Sequence, residues 1–115
     1  MNKYNARKTE ICGILFDSKA EANRYLVLLS REQQGEIHNL SIHPKFKIID
    51  SFTDSTGKKQ RPTYYIADFE YFTNGGKHVV EDVKGGRATQ TAVFKLKKKL
   101  FLREYPGVYF RVVTL

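Results

Sequence analysis

The sequence predicts a mixed α/β domain: a mixed β-sheet flanked by helices, with the element order α-β-β-β-α-β. Two segments, residues 18–34 and 89–105, carry apolar side chains at helical spacing. Four shorter runs rich in Phe, Tyr, Ile and Val read as strands, and Thr73-Asn74-Gly75-Gly76-Lys77 between two of them is a hairpin turn. A length of 115 residues fits one domain with one core. Residues 1–115 are therefore read as a single domain, with the polar residues 1–10 as a loose N-terminal arm.

In chain order, residues 18–34 form the first helix. Ala22, Tyr25, Leu26 and Leu29 give its apolar face, and Gly35 suits its end. Residues 45–52 form a strand, followed by a polar loop through Pro62. Residues 63–72 form a second strand, dense in aromatics, and residues 78–84 a third. A glycine-led loop then precedes the second helix, for which Thr89 is the expected N-cap and Pro106-Gly107 the stop. Val93, Leu96, Leu100 and Phe101 are expected to face the sheet. Residues 108–113 form the last strand, and the preceding helix carries it back parallel to the third.

Net charge is +8, and it is unevenly placed. Residues 1–57 hold 8 Lys and Arg against 7 Asp and Glu; residues 58–115 hold 12 against 5. That excess points to a polyanionic partner, most simply DNA. Within the basic half, Asp68, Glu70, Glu81 and Asp82 form an acidic island. Acids facing DNA repel phosphate unless they hold a cation. One cysteine, Cys12, excludes an internal disulfide and a Cys-rich zinc site. No run approaches the roughly 18 apolar residues of a membrane span, and the first ten residues lack the apolar core of a signal peptide. A cytoplasmic protein with no membrane partner is expected.

The residues 79–86, VVEDVKGG, concentrate the chemistry. Alternation puts Asp82 and Lys84 on one face and Glu81 on the other. A three-residue Asn74-Gly75-Gly76 loop sets Asp68 opposite Asp82 and keeps Lys84 with them. A two-residue Asn74-Gly75 turn sets Asp68 opposite Glu81 instead. Both registers are open to the sequence. Opposed carboxylates repel unless a cation sits between them, and Mg²⁺ fills that role with oxygen ligands and retained water. Lys84 then steadies charge on a phosphate or holds a water. The alternative is a solvated hairpin with an ordinary Asp–Lys pair.

Asp68, thirteen residues and Asp82-Val83-Lys84, set in an α-β-β-β-α-β order, resemble the signature and core of the PD-(D/E)xK (restriction-endonuclease-like) nuclease superfamily. The flanking stretches HPKFKII, YIADFEY and VVEDVKG resemble small phage proteins assigned to it. The resemblance covers roughly residues 10–113. It implies a Mg²⁺ site, with Mn²⁺ able to substitute, held by Asp68, Asp82 and the Val83 backbone carbonyl, with Glu81 as the alternate ligand. It implies Lys84 as the catalytic lysine and Glu21 as the acid of the first helix. Ser18-x-x-Glu21 also reads as a capping box. The chain departs from the pattern in having Ala67 rather than proline before Asp68, Asp rather than the commoner Glu at 82, and a spare acid at 81.

The implied activity is metal-dependent hydrolysis of DNA phosphodiester bonds by an endonuclease. The chain is small, so a homodimer acting on branched or recombination-intermediate DNA is expected, as for the superfamily's junction-resolving enzymes. Lys58, Lys59 and Arg61 on the long loop, Arg87 on the glycine-led loop, and Gln90, Lys95, Lys98 and Lys99 on the second helix are the expected DNA contacts. The aromatics are read as core. His38, His43 and His78 form no metal-ligand spacing and receive no role, and neither does Cys12. Two other readings stand beside the enzyme: a non-catalytic DNA-binding module, and a subunit of a phage replication or packaging complex.

Overall fold

The computed structural model describes residues 8–85 and 90–114. In chain order, the described residues form β1 (Thr9–Ile11), β2 (Ile14–Phe16), α1 (Lys19–Gln33), β3 (Ile37–Ile42), β4 (Lys45–Ile49), β5 (Phe52–Thr53), β6 (Lys59–Gln60), β7 (Thr63–Ile66), β8 (Phe69–Thr73), β9 (His78–Lys84), α2 (Ala92–Glu104) and β10 (Tyr109–Thr114). The central sheet runs β10-β9-β8-β3. β10 is parallel to β9, and the other pairs are antiparallel. The sheet is therefore mixed, as the late helical crossover requires. No helix among the described residues is long and apolar enough to cross a membrane.

β9 is the middle of the molecule. It pairs on both edges, and it is buried from Val79 through Asp82. Its alternating side chains enter two cores. Val79 joins Phe16, Ala22, Tyr25, Leu28, Phe69 and Tyr71 beneath α1. Val80 joins Phe46, Ile48, Tyr65, Phe94 and Phe101 beneath α2. One sheet thus carries a core on each face.

Three expectations needed correction. The run 63–72 is not one strand. It breaks at Ala67-Asp68, where the chain leaves β4 and joins β3 and β9. The Ala67 N–H donates to the Pro44 carbonyl, and the His43 N–H donates to the Asp68 carbonyl. The 45–52 run likewise ends at Ile49, and Phe52–Thr53 pairs separately with Lys59–Gln60. Second, the end of the expected arm is ordered: Thr9–Ile11 pairs with Ile14–Phe16 across a turn in which Cys12 and Gly13 have positive φ, while residues 1–7 of the arm lie outside the described residues. β3 had no counterpart in the sequence reading, because its pairing is interrupted between His38 and Ser41, with Asn39 in the left-handed region. Third, the helix faces hold in part: Ala22, Tyr25, Leu29, Leu100 and Phe101 pack as expected, and other positions differ. Leu28 is buried and Leu26 is 45% exposed. Phe94 and Phe101 anchor α2, whereas Val93 and Leu96 are 64% and 59% exposed. Both helices carry apolar residues on more than one face, so periodicity alone does not choose the buried one. The observed cap of α2 is Thr91, whose hydroxyl accepts from the Phe94 N–H; Thr89 lies outside the described residues.

Candidate metal centre

Of the two possible hairpin registers, the three-residue loop forms. Thr73 N–H donates to the Lys77 carbonyl, and Gly76 takes a φ of +85° that closes the turn. The ladder pairs Phe69 with Glu81, so its continuation brings Asp68 opposite Asp82. Asp68 lies just past the end of β8. Its N–H donates to the Glu81 carbonyl, and its Oδ2 accepts the Val83 N–H at 2.6 Å.

Glu81 and Asp82 then part company. Glu81 turns toward α1 and is fully buried. Arg24 donates Nε and Nη2 to its two oxygens at 2.8 and 2.7 Å, and the Tyr71 hydroxyl donates to it as well. Arg111 Nη1 stands 3.6 Å away. The Glu81 hydrogen bond is the main reason that the Arg24 pKa is raised. With both oxygens engaged on the far face, Glu81 does not serve as the alternate ligand, which corrects that expectation.

Asp82 turns toward α2. The Tyr65 hydroxyl donates to its Oδ1 at 2.8 Å. Lys84 Nζ lies 2.9 Å from its Oδ2 and 4.0 Å over the Phe94 ring. The ammonium pairs with buried Oδ2 by charge, and that oxygen has no other polar partner among the described residues. Burial, and then the Asp82 charge, push the Tyr65 hydroxyl pKa up, so Tyr65 stays a donor.

The tightest convergence of ligand atoms is Glu21, His43 and Asp68, all within 4.8 Å of one another. Each is placed by a different device. Ser18 caps α1 by accepting the Glu21 N–H at 3.1 Å, which sets Glu21 in the first turn. The return half of the capping box is not among the hydrogen bonds of the described residues. The Glu21 carboxylate instead has Oε1 2.5 Å from His43 Nε2. His43 bridges β3 and β4 with φ +54°, a strained setting for a residue before proline. Asp68 occupies the matching break between β7 and β8. The two sheet breaks thus meet at the cluster.

This arrangement is short of positive charge. Burial first, then the Asp82 and Glu21 charges, raise the Asp68 pKa to about 7, against the pull of the Val83 N–H and His43. Burial also raises Glu21, with His43 opposing. Two carboxylates and an imidazole, near the Asp82 carboxylate, are a donor set that suits a divalent cation. The carboxylates suit Mg²⁺ or Mn²⁺, and the imidazole favours a first-row transition ion over an all-oxygen one. Asp82 is not in the tightest group, and Val83 is tied to the site through its N–H. The tightest group thus joins Asp68 and Glu21, both expected site residues, with His43.

A family model described as a protein of unknown function (DUF1064) matches residues 1–114. The chain belongs to this family. No curated protein and no solved structure matches the chain. The family's description names no activity, so the chemistry must be read from the site.

The expected DNA contacts fall in two places. Lys58, Lys59 and Arg61 are exposed at the β5–β6 tip. Gln90, Lys95, Lys98 and Lys99, with Leu102, line an open depression of about 380 Å³ along α2. Lys98 is half-buried, with Nζ 5.7 Å over the Phe110 ring. Arg87 lies outside the described residues. The residue that sequence reasoning missed is His43. It is far in sequence from both Glu21 and Asp68, so no ligand spacing exposes it. The one available signal was His43-Pro44 ahead of a strand, where a chain break is forced.

Proposed function

We propose that the chain is a metal-dependent DNA endonuclease with a restriction-endonuclease-like core. The observation that carries this reading is the convergence of Glu21, His43 and Asp68 beside a buried Asp82 oxygen, in an otherwise basic protein. Glu21, His43 and Asp68 would hold the cation, Mg²⁺ or Mn²⁺, with Asp82 beside them. When bound, such an ion polarises a phosphate and lowers the pKa of a water. The chain's own groups do the rest. The Val83 N–H orients the Asp68 carboxylate, and the Ser18 cap sets Glu21 in the first turn of α1. Tyr65 fixes Asp82, and Asp82 positions Lys84. The Lys84 ammonium offers charge to a phosphate entering the site. The lysines of α2 and of the β5–β6 tip would grip the backbone without reading sequence. A homodimer cutting branched or recombination-intermediate DNA is the form proposed, since one site cuts one strand.

A second reading has its own support. Asp82 is occupied by Tyr65 and Lys84, which is what a fold retained only for DNA binding would show. Incubation with labelled linear duplex and four-way-junction DNA, in Mg²⁺, Mn²⁺ or EDTA and beside Lys84→Ala, separates the two. Metal-dependent cutting that Lys84→Ala abolishes is the expected result. Binding without cutting under every metal overturns the enzyme and establishes the binding module.

A further inference from the structure

The β4–β7 ribbon leads directly into the candidate metal centre. β4 begins two residues after His43, and β7 ends two residues before Asp68. Its inner face carries Phe46, Ile48 and Tyr65 into the core beneath α2. Its outer face is uncovered. Cross-strand pairs there are Lys45 with Ile66 and Lys47 with Tyr64. Tyr64 is 37% and Ile66 58% exposed. Lys45 Nζ lies 4.2 Å over the Tyr64 ring. Lys47 pairs with exposed Asp50 at 2.5 Å, a surface contact of little strength.

Resting on the nuclease reading, we infer that this outer face is the track for an unpaired DNA strand entering the carboxylate cluster. A duplex presents phosphates outward and keeps its base faces covered. An exposed aromatic and an exposed isoleucine gain nothing from it. An unpaired strand presents phosphates and bare base faces together. Two lysines interleaved with an aromatic and an aliphatic side chain match that alternation. A base stacking on Tyr64 displaces Lys45 from the ring, and the flexible lysine then meets the adjacent phosphate. Ile66, nearest Asp68, would pack on the last base before the site. The substrate class is therefore DNA with a single-stranded arm beside a duplex, rather than plain duplex.

The test uses the full chain with forked DNA bearing one unpaired arm and with blunt duplex of the same sequence. Binding is read by fluorescence anisotropy in EDTA, and cleavage in Mn²⁺. Tyr64→Ala is expected to weaken fork binding about tenfold and blunt-duplex binding by less than about twofold. Tyr64→Phe, which keeps the ring, should bind like the wild type. Lys45→Ala should lower the salt dependence of fork binding by about one phosphate contact. If Tyr64→Ala is unfolded by circular dichroism, Ile66→Ala repeats the comparison, with a selective fork loss of about threefold expected. Equal losses on both substrates, or no loss on the fork, overturn the ribbon. Wild-type protein that binds forks but cuts nothing overturns the nuclease reading, while the Tyr64 ratio still decides the ribbon. Failure to bind either DNA overturns both.

Discussion

Glu81 and Asp82 are adjacent in β9 and both are buried, yet their surroundings are opposite in kind. Facing α1, Glu81 has a two-pronged arginine, a tyrosine hydroxyl and a second arginine nearby. Its charge is answered within the chain. Facing α2, Asp82 has one tyrosine hydroxyl and a lysine shared with an aromatic ring. Asp68 lies close by, with Glu21 next to it, and His43 and the Val83 N–H offset their charge in part. The first cluster is complete as it stands. The second gathers carboxylates that burial and mutual repulsion push toward protonation. A buried carboxylate is thus a fastener or a ligand according to what the neighbouring elements bring to it.

The contrast is open to attack at several points. The largest effect is expected on the α1 side. Arg24→Ala strands the Glu81 charge in the core and should cost about 3–5 kcal/mol in urea unfolding. Metal should not restore it. A loss below about 1 kcal/mol would mean that Arg111 and Tyr71 suffice, and that the cluster is less closed than described.

Asp68 should behave in the opposite way. Its carboxyl is raised from 3.8 to about 7, so the folded chain holds that proton more tightly than the unfolded chain. Stability from this group is full at low pH, falls as pH rises from about 4 to about 7, and is flat above. Asp68→Asn should remove that slope in thermal melts across pH and be no less stable than wild type at pH 8. Mn²⁺ should raise the wild-type Tm, and the same variant should abolish that rise. A wild-type Tm indifferent to Mn²⁺ and Mg²⁺ at pH 8 would deny the cation site.

Gly85→Ala tests how α1 is held to β9. A Cβ there would come within 2.9 Å of the Ala20 Cβ, and neither atom can swing away. The expected cost is about 1–3 kcal/mol, with Mn²⁺ affinity falling because the first turn carrying Glu21 moves. Unchanged metal affinity would show that Glu21 is not held by that contact.

The smallest effect should come from Asp54. Its carboxylate is drawn down to about 2, chiefly by bonds from the Thr56 and Gln60 side chains and from the Lys58 N–H. Its hold on the loop is present above about pH 4 and fades as pH falls toward 2. Asp54→Ala should speed amide exchange at Thr56 and Lys58 and leave the global melt in place. A shifted global melt would mean that the β5–β6 tip supports the core.

Much of this was legible in the sequence. The run VVEDVKGG announced a buried strand bearing acids, and Asn74-Gly75-Gly76 announced its hairpin. Ser18 and Glu21 marked the start of α1. The parallel return of β10 followed from a helix lying between it and β9. Local rules suffice there, because alternation, turn chemistry and capping act over a few residues. His43 was invisible because its neighbours in space are its strangers in sequence. The break at Ala67-Asp68 was hidden for a related reason. Residues 63–72 have strand propensity throughout, and only a change of pairing partner divides them.

By itself, then, the sequence determined the two helices, the β8–β9 hairpin, the last strand, the basic half and the list of candidate carboxylates. The tertiary structure alone decided which carboxylate is paired by arginine and which ones converge as a candidate ligand group. It also decided that a histidine joins the cluster, and which helix faces are covered. The physical reason is that a carboxylate's protonation and partners are set by burial and by charges within a few ångströms. Those charges arrive on α1, on the β3–β4 joint and on β10, and only packing brings them to β9.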